Sequence, residues 1–254
     1  MTTADRGPID VSAAELGDRL RELLPEGLFA FDVDGVLAPI VDHAGEARLS
    51  EGVGALLDSL AARTYLAIVS GRSLRDLDEL FAFPPSAHVI GSHGLESRDD
   101  GPLFLSDDER RVLGRLAALA AEAVIGAGEG AWLERKPASV VLHTRLADPK
   151  YGQLAAEALT RVARKVDGAF VKPGNQVVEL LARHTTKGEA LLALSASADR
   201  APIVFLGDDV TDEEAFAMFG PDDFSIRVGP GPSCARFRLP GPAAVVDLLR
   251  HLTA

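Results

Sequence analysis

Five short runs of apolar, β-branched and aromatic residues, separated by segments with a helical repeat, constrain the fold of this chain most. The runs are LFAFDV (28–33), YLAIVSG (65–71), HVIGSHG (88–94), IVFLGDD (203–209) and FSIRVG (224–229). Near-continuous apolar character suits strands of a parallel sheet covered on both faces, since a half-wet sheet would alternate. Apolar residues at three- and four-residue spacing near 50–63, 73–82, 187–198, 211–219 and 242–252 predict the covering helices. Strand and helix in alternation specify an α/β fold: a Rossmann-like parallel sheet with right-handed crossovers and helices on both faces.

Between about 106 and 183 the rhythm changes. A helix over 107–125, strands near 130–136 and 139–145, a helix over 150–165 and strands near 169–172 and 176–180 predict an α+β layer. Its sheet is antiparallel and carries two helices. The junctions SRDDGPL and LARHTTKG hold the polar, Gly and Pro residues of linkers. The expected organisation is a core domain from residues 1–105 and 184–254, interrupted by an inserted domain at 106–183.

A chain of 254 residues buries enough apolar surface to need no disulfide, and with Cys234 as its one cysteine it can form none internally. Lys and Arg number 26 against 38 Asp and Glu, a formal charge of −12. That balance argues against nucleic acid or an anionic membrane as partner, so an anionic substrate would need local cations. The N-terminal MTTADRGPID lacks the apolar centre of a signal peptide, and no apolar run reaches membrane-spanning length, so a cytoplasmic location is expected.

The chemistry-bearing residues collect at the carboxyl ends of the expected strands, where open α/β sheets bind ligands. Asp32 and Asp34 close the first run, and Gly35 lets the chain turn away. Ser70, Gly71 and Arg72 follow the second, His93 and Glu96 the third, and Asp208 and Asp209 the fourth. Two aspartates inside an apolar run are costly unless something compensates them. A cluster of carboxylate oxygens with no nitrogen or sulfur ligand suits Mg²⁺ better than zinc. Lys187 opens an apolar-periodic helix, where the helix dipole disfavours a cation; Thr186 and Glu189 form the capping box that starts it. A lysine so placed suits a phosphate held among carboxylates.

The order DVDGVLAP, SGR, Lys187 and GDDVTDE resembles the four motifs of the haloacid dehalogenase superfamily. GSHGLE (91–96), ERK (134–136), HTR (143–145) and VVEL (177–180) add a resemblance to the trehalose-6-phosphate phosphatase family. That resemblance implies a Mg²⁺-dependent phosphatase releasing phosphate from trehalose 6-phosphate. Asp32 would be the nucleophile that becomes an aspartyl phosphate, and Asp34 the acid and base. Ser70, Gly71 and Lys187 would hold the phosphoryl group. Asp32, the Asp34 carbonyl and Asp208 would hold the metal, with Asp209 and Asp212 in support.

The insert would read the sugar through Glu134, Lys136, Arg145 and Glu179, with Arg72, His93 and Glu96 at the rim of the core. Trp132, two residues before Glu134, is expected to pack in the insert's own core. The implied partners are a small-molecule sugar phosphate and, functionally, the synthase that makes it. Three alternatives stand at this point: hydrolysis of another sugar phosphate, a sugar phosphomutase, and a sensor with a disabled site.

Overall fold

The computed structural model describes residues 7–41, 43–101 and 103–254. Strands β1 (Ile9–Asp10), β2 (Leu28–Phe31), β3 (Tyr65–Val69), β4 (His88–Gly91) and β5 (Glu96–Ser97) belong to the first sheet. It is completed by β10 (Ile203–Gly207), β11 (Phe224–Val228) and β12 (Phe237–Leu239). The spatial order is β1-β12-β11-β10-β2-β3-β4-β5, parallel throughout except for the β4–β5 pair.

Both faces of the central strands of this sheet are dry. Phe29, Phe31, Leu66, Ile68, Val204 and Leu206 face one apolar cluster, which takes in residues of α1 (Ala13–Arg21), α2 (Val53–Ala61), α3 (Leu74–Leu80) and α8 (Pro242–Thr253). Their strand neighbours Leu28, Ala30, Ala67, Val69, Ile203 and Phe205 face a second, with α6 (Lys187–Ala198) and α7 (Val210–Phe216). Full burial on both sides is why these strands read as unbroken apolar runs.

Among the described residues, three strands and one α-helix lie outside the expected pattern. Strands β1 and β5 have two residues each and β12 three, too few for a period to register. Helix α1 is short and offers only two large apolar residues, Leu16 and Leu20, but Ser12 and Glu15 bond reciprocally as a capping box, a signal present in the sequence.

After β2 the chain builds β3 and β4 to one side, and after β10 it builds β11 and β12 to the other. The strand order therefore reverses between the adjacent strands β2 and β10. At such a switch point the two following loops diverge and leave a crevice beyond the carboxyl ends. Asp32 follows β2 directly, and Asp208 follows β10.

The chain divides into two compact units, one formed by Met1–Gly101 with Thr185–Ala254 and the other by Pro102–His184. The second unit contains α4 (Asp107–Ala127), β6 (Trp132–Arg135), β7 (Ser139–His143), α5 (Pro149–Ala163), β8 (Phe170–Gly174) and β9 (Val177–Leu181). Its antiparallel sheet has the order β6-β7-β9-β8. Val140, Leu142, Val178 and Leu180 pack on Leu116, Ala120, Leu159 and Ala163 of the two helices. Since side chains alternate along a strand, the opposite face carries Trp132, Glu134, Ser139, His143 and Glu179.

Two expectations for this unit are corrected. Strand β7 ends at His143 and not at 145, so Arg145 sits in an exposed turn and does not share a strand face with His143. Trp132 is not in the core: it is 48% exposed and stacks flat on His143. Helical packing occupies only the other face of the sheet, and residue 132 has the wrong parity to reach it.

Candidate active site

Asp32 is held where the sheet ends. Its backbone N–H donates to the Leu206 carbonyl at 3.0 Å, which ties the loop after β2 to β10. The residue is only 5% exposed; Oδ1 accepts from the Val33 N–H at 2.7 Å, and Oδ2 lies 2.9 Å from the Lys187 ammonium. Lys187, 2% exposed, donates also to Asp212 Oδ1 at 2.8 Å, and Asp212 is completely buried. The cation that the helix dipole disfavours at the start of α6 is thus stabilised by two carboxylates at hydrogen-bond distance.

Asp212 organises the loop after β10 from within. Its Oδ2 accepts the N–H groups of Asp208 at 2.8 Å and Asp209 at 3.1 Å. Asp209 itself caps α7, accepting from the Thr211 N–H and hydroxyl and from the Asp212 N–H. Its Oδ1 is therefore committed to the helix start. The carboxylates that converge are those of Asp32, Asp208 and Asp212, each with an oxygen within 4.8 Å of the others'. Asp212 was visible in GDDVTDE, four positions after Asp208, but its burial and double engagement were not.

This arrangement is short of positive charge. Burial, and then the neighbouring Asp212 and Asp209 carboxylates, push Asp208 up from 3.8 to about 6. Burial also pushes Asp32 well above the ordinary carboxylate range, against the pull of Lys187. Burial alone would lower Lys187, yet Asp32 and Asp212 outweigh it and hold the ammonium above its usual range. One lysine among four carboxylates leaves an anionic, all-oxygen site, the donor set and charge that a hard divalent cation fits. Gly35, at φ +75°, permits the approach of Asp208: a Cβ there would lie 2.0 Å from its Oδ2.

A metal test follows from the sign of the Asp208 shift. An acid whose folded value is raised stabilises the fold fully below its ordinary value, about 4, and loses that contribution as the pH rises through about 6. Added Mg²⁺ is expected to raise the melting temperature above pH 7 and to do so progressively less as the pH falls below 6. Asp208→Asn should abolish most of this rise. Differential scanning fluorimetry across pH checks it, and an equal rise at pH 5 and 7.5 would contradict it.

Around this cluster the other expected residues are placed as follows. Ser70, at the end of β3, is buried; its N–H donates to the Ile90 carbonyl, and its own carbonyl accepts from the His93 N–H at 2.9 Å. A Cβ at position 71 would lie 2.6 Å from the His93 ring, so Gly71 is what lets the imidazole lie against this turn. Arg72 is turned to Asp34 in a two-point pair, Nε to Oδ2 at 2.6 Å and Nη2 to Oδ1 at 2.7 Å, and also donates to the Ala44 carbonyl. Arg72 thus holds the Asp34 carboxyl in place. Glu96 accepts from the Ser92 hydroxyl and the Leu74 N–H at the start of α3, so it braces the loop that carries His93.

Within the second unit, Lys136 lies 3.4 Å from Glu179, which also accepts from the Ser139 hydroxyl at 2.7 Å. Glu134 lies 3.0 Å from His143 Nε2. Glu134, Val141, Glu179 and Lys172 form one row across the four strands. Lys136, just past β6, meets that row through Glu179, whereas Arg145 stands apart from it in its turn.

A carboxylate in contact with a buried lysine, beside further carboxylates at a switch point, is suited to attack on a phosphoryl group. Residues 30–237 match the family model described as Trehalose-phosphatase. The chain belongs to the trehalose-phosphatase family. It is therefore a phosphoric monoester hydrolase of the haloacid dehalogenase superfamily.

Among proteins it is similar to, the trehalose-phosphate phosphatase of Mycobacterium marinum is 34% identical over 268 residues, covering 96% of this chain and 68% of the relative. Escherichia coli trehalose-6-phosphate phosphatase is 33% identical over 238 residues, covering 91% and 88%. The structure of Aspergillus fumigatus trehalose-6-phosphate phosphatase superposes with a TM-score of 0.71 at 26% identity, covering 97% of this chain and 99% of that one. Among the described residues of this family member, no helix is long and apolar enough to cross a membrane.

Proposed function

We propose that the chain hydrolyses trehalose 6-phosphate to trehalose and inorganic phosphate through an aspartyl phosphate on Asp32, the step that completes trehalose synthesis. The observation that carries this reading is the contact of the buried Lys187 ammonium with Asp32 at 2.9 Å and with Asp212 at 2.8 Å, at the switch point. The family match supplies the substrate class.

In the first step an Asp32 oxygen forms a bond to phosphorus, the bond from phosphorus to the sugar oxygen breaks, and Asp34 gives that oxygen its proton. In the second, Asp34 takes a proton from water, the water oxygen bonds to phosphorus, and the acyl phosphate bond breaks to return Asp32. The Arg72 pair engages one lone pair on each Asp34 oxygen and leaves each a second, so the proton can be exchanged while Arg72 fixes the carboxyl plane. Lys187 has three N–H groups; Asp32 and Asp212 take two, and the third serves a phosphoryl oxygen, with the Ser70 hydroxyl and Gly71 N–H.

Mg²⁺, held by Asp32, the Asp34 carbonyl and Asp208 with Asp209 and Asp212 behind them, would neutralise charge on the phosphoryl oxygens. Residues 1–105 and 184–254 form the catalytic part in this reading, and 106–183 select the sugar. Glu134, Lys136 and Glu179 supply charged donors and acceptors for hydroxyl groups. A synthase that makes the sugar phosphate is the functional partner.

Phosphate release measured over a panel of sugar phosphates tests this. Trehalose 6-phosphate should be turned over far faster than glucose 6-phosphate. Comparable turnover of several monosaccharide phosphates would replace the disaccharide by a broader substrate class, and isomerised sugar phosphate in place of free phosphate would indicate a mutase.

A further inference from the structure

The indole of Trp132 lies 3.9 Å from the imidazole of His143, with the two rings within 3° of parallel. The two residues are directly paired across β6 and β7, so backbone register brings the rings together. One face of the indole is covered by His143, and the residue remains 48% exposed. The imidazole is itself fixed, because Nε2 lies 3.0 Å from Glu134 Oε2. Trp132 and Glu134 share a strand face, so a flat apolar surface and a carboxylate stand side by side on the sheet face opposite α4 and α5.

We propose that Trp132, backed by His143, is a stacking platform for a pyranose ring of the substrate, beside the Glu134 carboxylate already assigned above to a sugar hydroxyl. This rests on the sugar-phosphate reading above. A pyranose has a face of C–H groups with little polarity and a rim of hydroxyls. An indole face takes the first through dispersion, and a carboxylate takes the second through a charge-assisted hydrogen bond. An anion alone would gain nothing from the indole's electron-rich face, so the platform distinguishes sugar from phosphate.

Trp132 is the only tryptophan in the chain, which makes intrinsic emission a direct report on this residue. With the Asp32→Asn variant, which should hold substrate without consuming it, saturating trehalose 6-phosphate is expected to shift and change the emission. Inorganic phosphate alone should leave it unmoved. In the otherwise unaltered enzyme, Trp132→Ala should raise KM for trehalose 6-phosphate by about tenfold with a much smaller change in kcat, and Trp132→Phe should recover most of that loss.

If the enzyme hydrolyses trehalose 6-phosphate, calorimetry shows the variant saturated, and the emission stays unchanged, the platform is refuted while the phosphatase reading stands. An unchanged KM in Trp132→Ala would refute it equally. Failure of the native enzyme to release phosphate from trehalose 6-phosphate would instead remove the reading on which the platform rests.

Discussion

Asp32→Asn is expected to lower phosphate release by about 10⁴-fold or more while leaving the fold intact. The amide has no nucleophilic oxygen of comparable strength, and two of the neighbouring carboxylates are already occupied: Asp212 has both oxygens engaged, and Asp209 caps α7. Stability should not fall with activity. Burial makes ionised Asp32 costly, and Lys187 keeps Asp212 as a partner at 2.8 Å when the charge at 32 is removed. The melting temperature of the variant is therefore expected at or above that of the native protein. Acid-quenched native enzyme should carry phosphate on the peptide containing Asp32, and the variant should carry none. Full turnover by the variant would end the nucleophile assignment.

Lys187→Met should damage both activity and stability, because one ammonium serves both. Removing it leaves Asp32 and Asp212 buried without a cation. Breaking a buried pair by deleting one partner costs about 3–5 kcal/mol, a fall of roughly 10 °C in melting temperature for a domain of this size. Loss of the donor proposed to hold the phosphoryl group should lower kcat by about 10²–10³-fold. The stability deficit has a definite pH sign. Both stranded aspartates become harmless when protonated, so the deficit should be largest at neutral pH and narrow as the pH falls. Adding Asp212→Asn to Lys187→Met should restore part of the melting temperature and none of the activity. Parallel recovery of both would mean that Lys187 acts only through packing.

What could be read from the chain, and what could not, divides along a physical line. The five main core strands were legible because burial on both faces of a parallel sheet is written into adjacent residues. Helix starts were legible where a box such as Thr186 with Glu189 spells them out, and the reciprocal bonds form as the spacing implies. Arg72 was legible as a cation near the site but not as the partner of Asp34, since thirty-eight positions separate them. Trp132 was misplaced for a related reason. Aromatic character predicts burial on average, whereas parity along β6 puts this residue on the face that the helices leave uncovered.

The sequence by itself determined the layer architecture and nominated the candidate site residues, because both readings depend on local periodicity or on residue type at a strand end. Tertiary structure alone decided which carboxylates share Lys187, that Asp209 serves its helix while Asp212 serves the cluster, and that Arg145 stands apart in a turn. Those outcomes depend on distances of a few ångströms between segments far apart in the chain. At that range, burial and competing hydrogen bonds, not composition, settle which partner each charge takes.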